Sequence, residues 1–130
     1  MILEFVTFRR SEDRTEEEFE MACQGIEEYL AACPGFLGRQ LYRTAPEDLW
    51  IDLVFWSDLL NAEAAADGLR DDPRAGPFLE CIEPDSVTLR HASLVRATAS
   101  ASGLPLSRRG TKCSPDRYPG RPGSDLREIR

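Results

Sequence analysis

The chain is poor in the residues from which metal and redox sites are built. It holds one histidine, His91, and four cysteines, Cys23, Cys33, Cys81 and Cys113, among 130 residues. The cysteines form no C-x-x-C pair and show no metal-ligand spacing, so zinc, haem-type and Cys–His nucleophile sites are poorly supplied and no metal is expected. Long apolar runs are lacking too, and none approaches the roughly 18 to 20 residues of a membrane span. The opening Met1-Ile2-Leu3-Glu4-Phe5 lacks the basic region and small-residue cleavage site of a secretory signal, which sets the expectation of a cytoplasmic protein. A structural disulfide is disfavoured in that compartment. Basic charge is short as well: the formal net charge is −7, which argues against nucleic acid or an anionic membrane surface as the main partner.

What is present is a globular composition, 42% hydrophobic and 30% charged, in a length that suits one ordinary domain. The charge is unevenly spread. Residues 1–96 carry 9 Arg against 20 Asp and Glu, a net of −11, whereas residues 97–130 carry 7 Lys and Arg against 3 Asp and Glu, a net of +4. The second stretch is rich in Ser, Gly and Pro and has almost no apolar periodicity, so it buries too little surface to offset its ordering entropy. The reading is a domain over 1–96 and a basic tail over 97–130. Such a tail serves either as a solvated extension beside its own acidic domain or as a docking arm for an acidic partner. Tyr118 is its one aromatic residue, and it holds no recognised binding motif.

Within the domain, Ile2 to Phe8 reads as a strand that is apolar on both alternating faces apart from Glu4 and Thr7. Thr15-Glu16-Glu17-Glu18 is a capping box with an acidic first turn. It opens a helix with Phe19, Cys23, Ile26 and Leu30 on one face, stopped by Pro34-Gly35. Phe36 to Thr44 and Leu49 to Trp56 read as an antiparallel hairpin around the turn at residues 45–48. Ser57 or Asp58 can cap a second helix through Leu59, Ala62, Ala66 and Leu69. Gly76-Pro77 opens a short third helix with Phe78, Leu79 and Ile82, and Val87 to Val95 forms the last strand. The order β-α-β-β-α-(α)-β predicts an α+β fold, the ferredoxin-like split βαβ arrangement with a four-stranded antiparallel sheet and helices on one face. The strand Trp50 to Trp56 is apolar on both faces apart from Asp52. A sheet covered on one side should alternate, so a second cover is expected, and a homodimer through the open face supplies it.

The segment Pro34-Gly35-Phe36-Leu37-Gly38, the hairpin ending Val54-Phe55-Trp56-Ser57-Asp58 and the Ala-rich helix that follows resemble the antibiotic biosynthesis monooxygenase family of the dimeric α+β barrel superfamily. The resemblance spans roughly residues 1–96. It implies a dimer whose two sheets face each other, with a pocket between each subunit's own sheet and helices. The family includes cofactor-independent oxygenases of aromatic polyketide-like substrates and haem-degrading enzymes. In the former, the protein deprotonates a phenol or enol and the substrate supplies the electrons that a flavin or metal otherwise provides. The chain departs from the family pattern on the second helix, where Ala66-Asp67 stands in place of a common Ala-His. The positions matching the tryptophan, histidine and asparagine of the haem-degrading branch are Asp67, about Pro77, and Thr7, which disfavours haem degradation. No cofactor is expected.

Six residues are candidates for the site. His91 is the one imidazole, the side chain that titrates nearest neutral pH; a lone histidine in an apolar alternation also serves as a core or interface residue. Asp67 serves as a base where burial raises a carboxyl's proton affinity, or as a solvent-facing carboxylate. Trp56 ends the third strand and either walls an aromatic pocket or packs in the core. Phe78 completes an aromatic wall. Thr7 and Tyr42 offer hydroxyls from the sheet, and alternation alone leaves open whether their two faces coincide. Arg39, Arg43 and Arg90 either anchor an anionic group or form cross-strand pairs with carboxylates such as Glu4 and Asp52. Two functions follow: a cofactor-independent monooxygenase of an aromatic or enolisable small molecule, or a non-catalytic homodimer that binds a small molecule or serves as a structural platform.

Overall fold

A computed structural model describes residues 1–100. Met1–Val95 forms one compact unit, and the chain from Arg96 onward falls outside it. All but the first four residues of the basic tail, Cys113 and Tyr118 among them, lie outside the described residues, and so does the docking-arm reading.

The first unit runs β1 (Ile2–Phe8), α1 (Glu16–Ala32), β2 (Phe36–Arg43), β3 (Trp50–Trp56), α2 (Leu59–Gly68), α3 (Gly76–Glu80) and β4 (Thr88–Ser93). Two short 3-10 turns, Leu69–Asp71 and Pro84–Ser86, lie between the later elements. All strand pairings are antiparallel, in the spatial order β2-β3-β1-β4. This is the ferredoxin-like α+β architecture that the element order predicts. No helix among the described residues is long and apolar enough to cross a membrane.

Local chemistry sets the element ends. Thr15 Oγ1 accepts from Glu18 N at 3.0 Å while Glu18 Oε1 accepts from Thr15 N at 2.8 Å, the reciprocal box expected from the sequence. Of the two candidate caps for α2, Asp58 is the one used, accepting from Asn61 N at 2.8 Å. Gly35 takes a positive φ of 81° after α1. Its carbonyl accepts from Ser57 N at 2.8 Å, and a Cβ there would lie 2.6 Å from Asn61 Nδ2. Only glycine satisfies both demands.

The helix faces differ in detail from the expected stripes. α1 buries Phe19, Ala22, Ile26, Tyr29 and Leu30, leaving Cys23 half-buried. α2 buries Ala62 and Ala65 rather than Ala66, and Leu59 is exposed. The small residues let α2 pack close to the sheet, which shifts its contact line by one position.

Strand register fixes what each sheet face carries. Glu4 stands opposite Val54 and His91, and Val6 opposite Asp52 and Leu89. The inner face, against which the helices pack, therefore holds Glu4, Val6 and Phe8 of β1 with Asp52, Val54 and Trp56 of β3. Phe8 and Trp56, each 1% exposed, anchor the core there. The outer face holds Leu3 and Phe5 with Ile51, Leu53 and Phe55, all half-buried without a helix on them.

α1 approaches the segment before α3 so closely that a Cβ on Gly25 would lie 2.4 Å from the Arg74 carbonyl oxygen. Alanine at this helical position gains about 1 kcal/mol in intrinsic propensity, but the clash is with backbone and costs about 1 to 3 kcal/mol. Gly25→Ala is expected to lower the urea midpoint at unchanged slope; an unchanged or higher midpoint would show that the approach relaxes freely.

Candidate active site

Between the inner sheet face and the helices lies a cavity of about 700 Å³, within the range of small-molecule sites. Its wall is mostly apolar and rich in rings: Phe8 and Trp56 from the sheet, Tyr29 from α1 and Phe78 from α3. Phe78 meets Phe8 edge-on at 5.8 Å between ring centres, and Phe36 packs edge-on against Trp56 at 5.8 Å. These contacts fix the wall's shape.

Two carboxylates face this apolar space, Glu4 and Asp52, and their surroundings differ. Asp52 is 7% exposed and held bidentate by Arg39, whose Nε and Nη2 each donate at 2.8 Å. The Arg39 guanidinium also pairs with Glu27 at 3.3 Å and lies 5.4 Å from the centre of the Phe78 ring. Burial opposes the Arg39 charge, but the hydrogen bonds and charge of Asp52 outweigh it and raise its proton affinity above the usual guanidinium value. Of the pairs foreseen in the sequence, Arg39 with Asp52 forms as a diagonal contact between neighbouring strands.

Glu4 has no cationic clamp of this kind. Its side chain is 13% exposed, and Oε1 accepts one hydrogen bond, from Trp56 Nε1 at 2.8 Å. His91 Nε2 stands 3.9 Å from the same oxygen, too far for a hydrogen bond, and is buried without a hydrogen-bond partner. Burial raises the Glu4 carboxyl above its ordinary value of 4.5, against the opposing pull of the Trp56 bond and the His91 charge and with a further push from Asp52. Tyr29 is less available for proton transfer. Burial and then Cys33 push its phenol up to about 12, and its hydroxyl donates to the Ala65 carbonyl.

The structure sorts the six candidates. Trp56 and Phe78 line the cavity. His91 sits beside Glu4 at the β4 edge and is outside the lining. Thr7 and Tyr42 do share a face, each opposite Ile51, but it is the outer one. Their hydroxyls bond to Thr88 and Gln40 respectively. Strand alternation thus places both hydroxyls away from the cavity lining. Asp67 is exposed on α2 and absent from the cavity wall, the solvent-facing carboxylate of its two readings. The residue the sequence reading passed over is Glu4. Its signal was present, a lone carboxylate among apolar residues and on the same strand parity as Phe8. No group of three or more metal-ligating side chains occurs among the described residues.

Neither protein-family models nor curated proteins match the chain. Solved structures do. SnoaB from Streptomyces nogalater, a cofactor-independent oxygenase, is 20% identical with a TM-score of 0.53, over 75% of this chain and 94% of its own. A protein from Bordetella bronchiseptica assigned as an antibiotic biosynthesis monooxygenase is 18% identical with a TM-score of 0.61, over 73% and 97%. The chain has the fold of the antibiotic biosynthesis monooxygenases. A mutant of MhuD holding two manganese protoporphyrin IX molecules per active site has the same fold at 16% identity and a TM-score of 0.56, over 77% of this chain and all of its own. Identities in this range establish the monooxygenase fold and leave the chemistry to the side chains.

The raised proton affinity of Glu4 carries a stability consequence. Its folded-state value lies above its unfolded one, so its contribution is fully favourable at low pH and is lost as pH rises through the folded-state value. Glu4→Gln, which keeps an acceptor for Trp56, is expected to raise the melting temperature at pH 7. The gain should fade as the pH falls toward 4.5; a gain independent of pH would contradict it.

Proposed function

We propose that the protein binds an aromatic or enolisable small molecule in the cavity and monooxygenates it without a cofactor, with Glu4 as the proton acceptor. The observation that carries this reading is a carboxylate inside a ring-lined cavity, held by a tryptophan N–H and without the bidentate guanidinium that clamps Asp52. Burial that raises a carboxyl's proton affinity makes it a better base for a weakly acidic hydroxyl. Glu4 takes the proton of a phenol or enol, and the resulting anion passes electrons to O₂. One oxygen atom stays on the substrate carbon and the other leaves as water, so a CH₂ or its enol equivalent becomes a carbonyl, and the substrate supplies all four electrons that O₂ takes up, including the two a cofactor would otherwise bring. Trp56 orients the carboxylate. His91 Nε2 stands 3.9 Å behind the same carboxylate, outside the cavity lining, where it acts on Glu4 rather than on the substrate. Trp56 and Phe78 supply the faces against which a flat ring stacks.

The working unit in this reading is a homodimer. An outer face carrying Leu3, Phe5, Ile51, Leu53 and Phe55 is a contiguous apolar surface that water covers poorly, and pairing with a second copy buries it. A second reading, a homodimer that holds such a ligand without turning it over, is favoured by one observation: no imidazole stands among the described residues that line the cavity.

Oxygen uptake and product mass with a panel of phenolic compounds separate the two. Glu4→Gln is expected to lower turnover by about a hundredfold or more, the usual share of a general base. If the panel raises the melting temperature yet consumes no oxygen, the binding reading stands and the oxygenase reading falls. For the dimer, native mass spectrometry is expected to give twice the chain mass. Leu53→Arg on the outer face should give the single chain mass, and a monomeric wild type would overturn the pairing.

A further inference from the structure

Two carboxylates on one sheet face, in one apolar cavity, would ordinarily compete for the same proton. Here Asp52 stands opposite Val6, and Glu4 is two residues along the same strand on the same face. That is a diagonal neighbour, at about 7 to 8 Å between such positions. Only Asp52 has a cation hydrogen-bonded to it. Arg39 reaches it from β2 with two hydrogen bonds of 2.8 Å, and the pair is nearly dry, with side chains 5% and 9% exposed. Arg39 itself is not part of the cavity wall.

We infer that Arg39 is a positioning residue for the site's proton chemistry: by neutralising Asp52 from outside the cavity, it leaves Glu4 as the one carboxylate there that is free to accept a substrate proton. This rests on the reading of Glu4 as the proton acceptor. A pair serving the fold alone would hold β2 to β3 and leave the behaviour of Glu4 untouched by its charges. The other groups around Glu4 sit differently. His91 faces it from β4, and Trp56 gives it a neutral N–H from β3. Tyr29 of α1 and Arg70 after α2 line the same cavity, with the Tyr29 hydroxyl bonded to Ala65. Glu27 of α1 meets Arg39 at its exposed side, 60% exposed, where solvent screens it. Asp52 is thus the other anion in the cavity, and its compensation by Arg39 acts on Glu4 beside the opposing influence of His91.

The test is a charge cycle read on Glu4 itself, by following its side-chain carboxyl carbon through a pH titration by NMR on the full chain without ligand. Arg39→Met uncovers the Asp52 charge, and the Glu4 midpoint should rise by about one to two pH units, the size expected for one unit charge at this separation in a protein interior. Asp52→Asn leaves Arg39 uncompensated and should lower the midpoint by a similar amount. The double variant Arg39→Met, Asp52→Asn removes both charges and should return it close to the wild-type position, and Arg39→Lys, which keeps the charge, should leave it nearly unmoved. Should Arg39→Met fail to fold, Asp52→Asn still lowers the midpoint and the double variant restores it. Midpoints that stay put in Asp52→Asn, or single variants that move the same way, would overturn the inference. Because the titration needs no substrate, it stands apart from the oxygenase reading, which fails if Glu4→Gln keeps full turnover.

Discussion

The hydrogen bond from Trp56 to Glu4 holds an ionisable group inside an apolar, ring-lined space, and the rest of the site is arranged around that burial. A carboxylate out of water is costly unless something satisfies it. One N–H offsets part of that cost, and hydrogen bonds to charged groups contribute about 1.5 to 3 kcal/mol. The remainder appears as a raised affinity for a proton. The same burial that weakens the fold at neutral pH is what suits Glu4 to the proposed role of base for weakly acidic hydroxyl groups, a common relation between stability and function.

Asp52 shows the opposite solution in the same cavity. Its negative charge is more deeply buried, yet the bidentate Arg39 fork meets it on both oxygens. Two carboxylates, two residues apart in register, therefore have different surroundings, one with a cation on the neighbouring strand and the other with a tryptophan. The neighbours of Glu4 and Asp52 come from β2, β3 and β4, which is why this division belongs to the sheet and to no single strand.

The two-sided character of the central strands has its own consequence. β1 and β3 place apolar residues on both faces, and the helices cover one. The covered face became a core with a cavity, and the other remains an apolar sheet surface. The hydroxyls of Thr7 and Tyr42 belong to that second surface, each satisfied by a neighbour within the sheet.

Local sequence was enough wherever the interacting groups lie within a few residues. The Thr15–Glu18 box, the Pro34-Gly35 stop, the hairpin and the order of elements were legible because capping, turn chemistry and strand periodicity act over three to eight residues. The double-faced apolarity of Trp50 to Trp56 was legible for the same reason. What the chain could not announce was which parity of each strand meets the helices. Alternation relates Glu4 to Phe8 within β1, but only pairing with β3 and packing under α1 and α3 decide that this parity is the inner one. Glu4 therefore looked like an interruption in a strand and Asp67 like a candidate base on a helix. Register across the sheet buried the first beside Trp56, and the rotation of α2 about Ala62 and Ala65 turned the second outward to water. Sequence determined the elements and their order because those depend on neighbours along the chain. The tertiary structure alone decided which carboxylate is buried, because burial depends on residues some fifty positions away, as the contact between Glu4 and Trp56 shows.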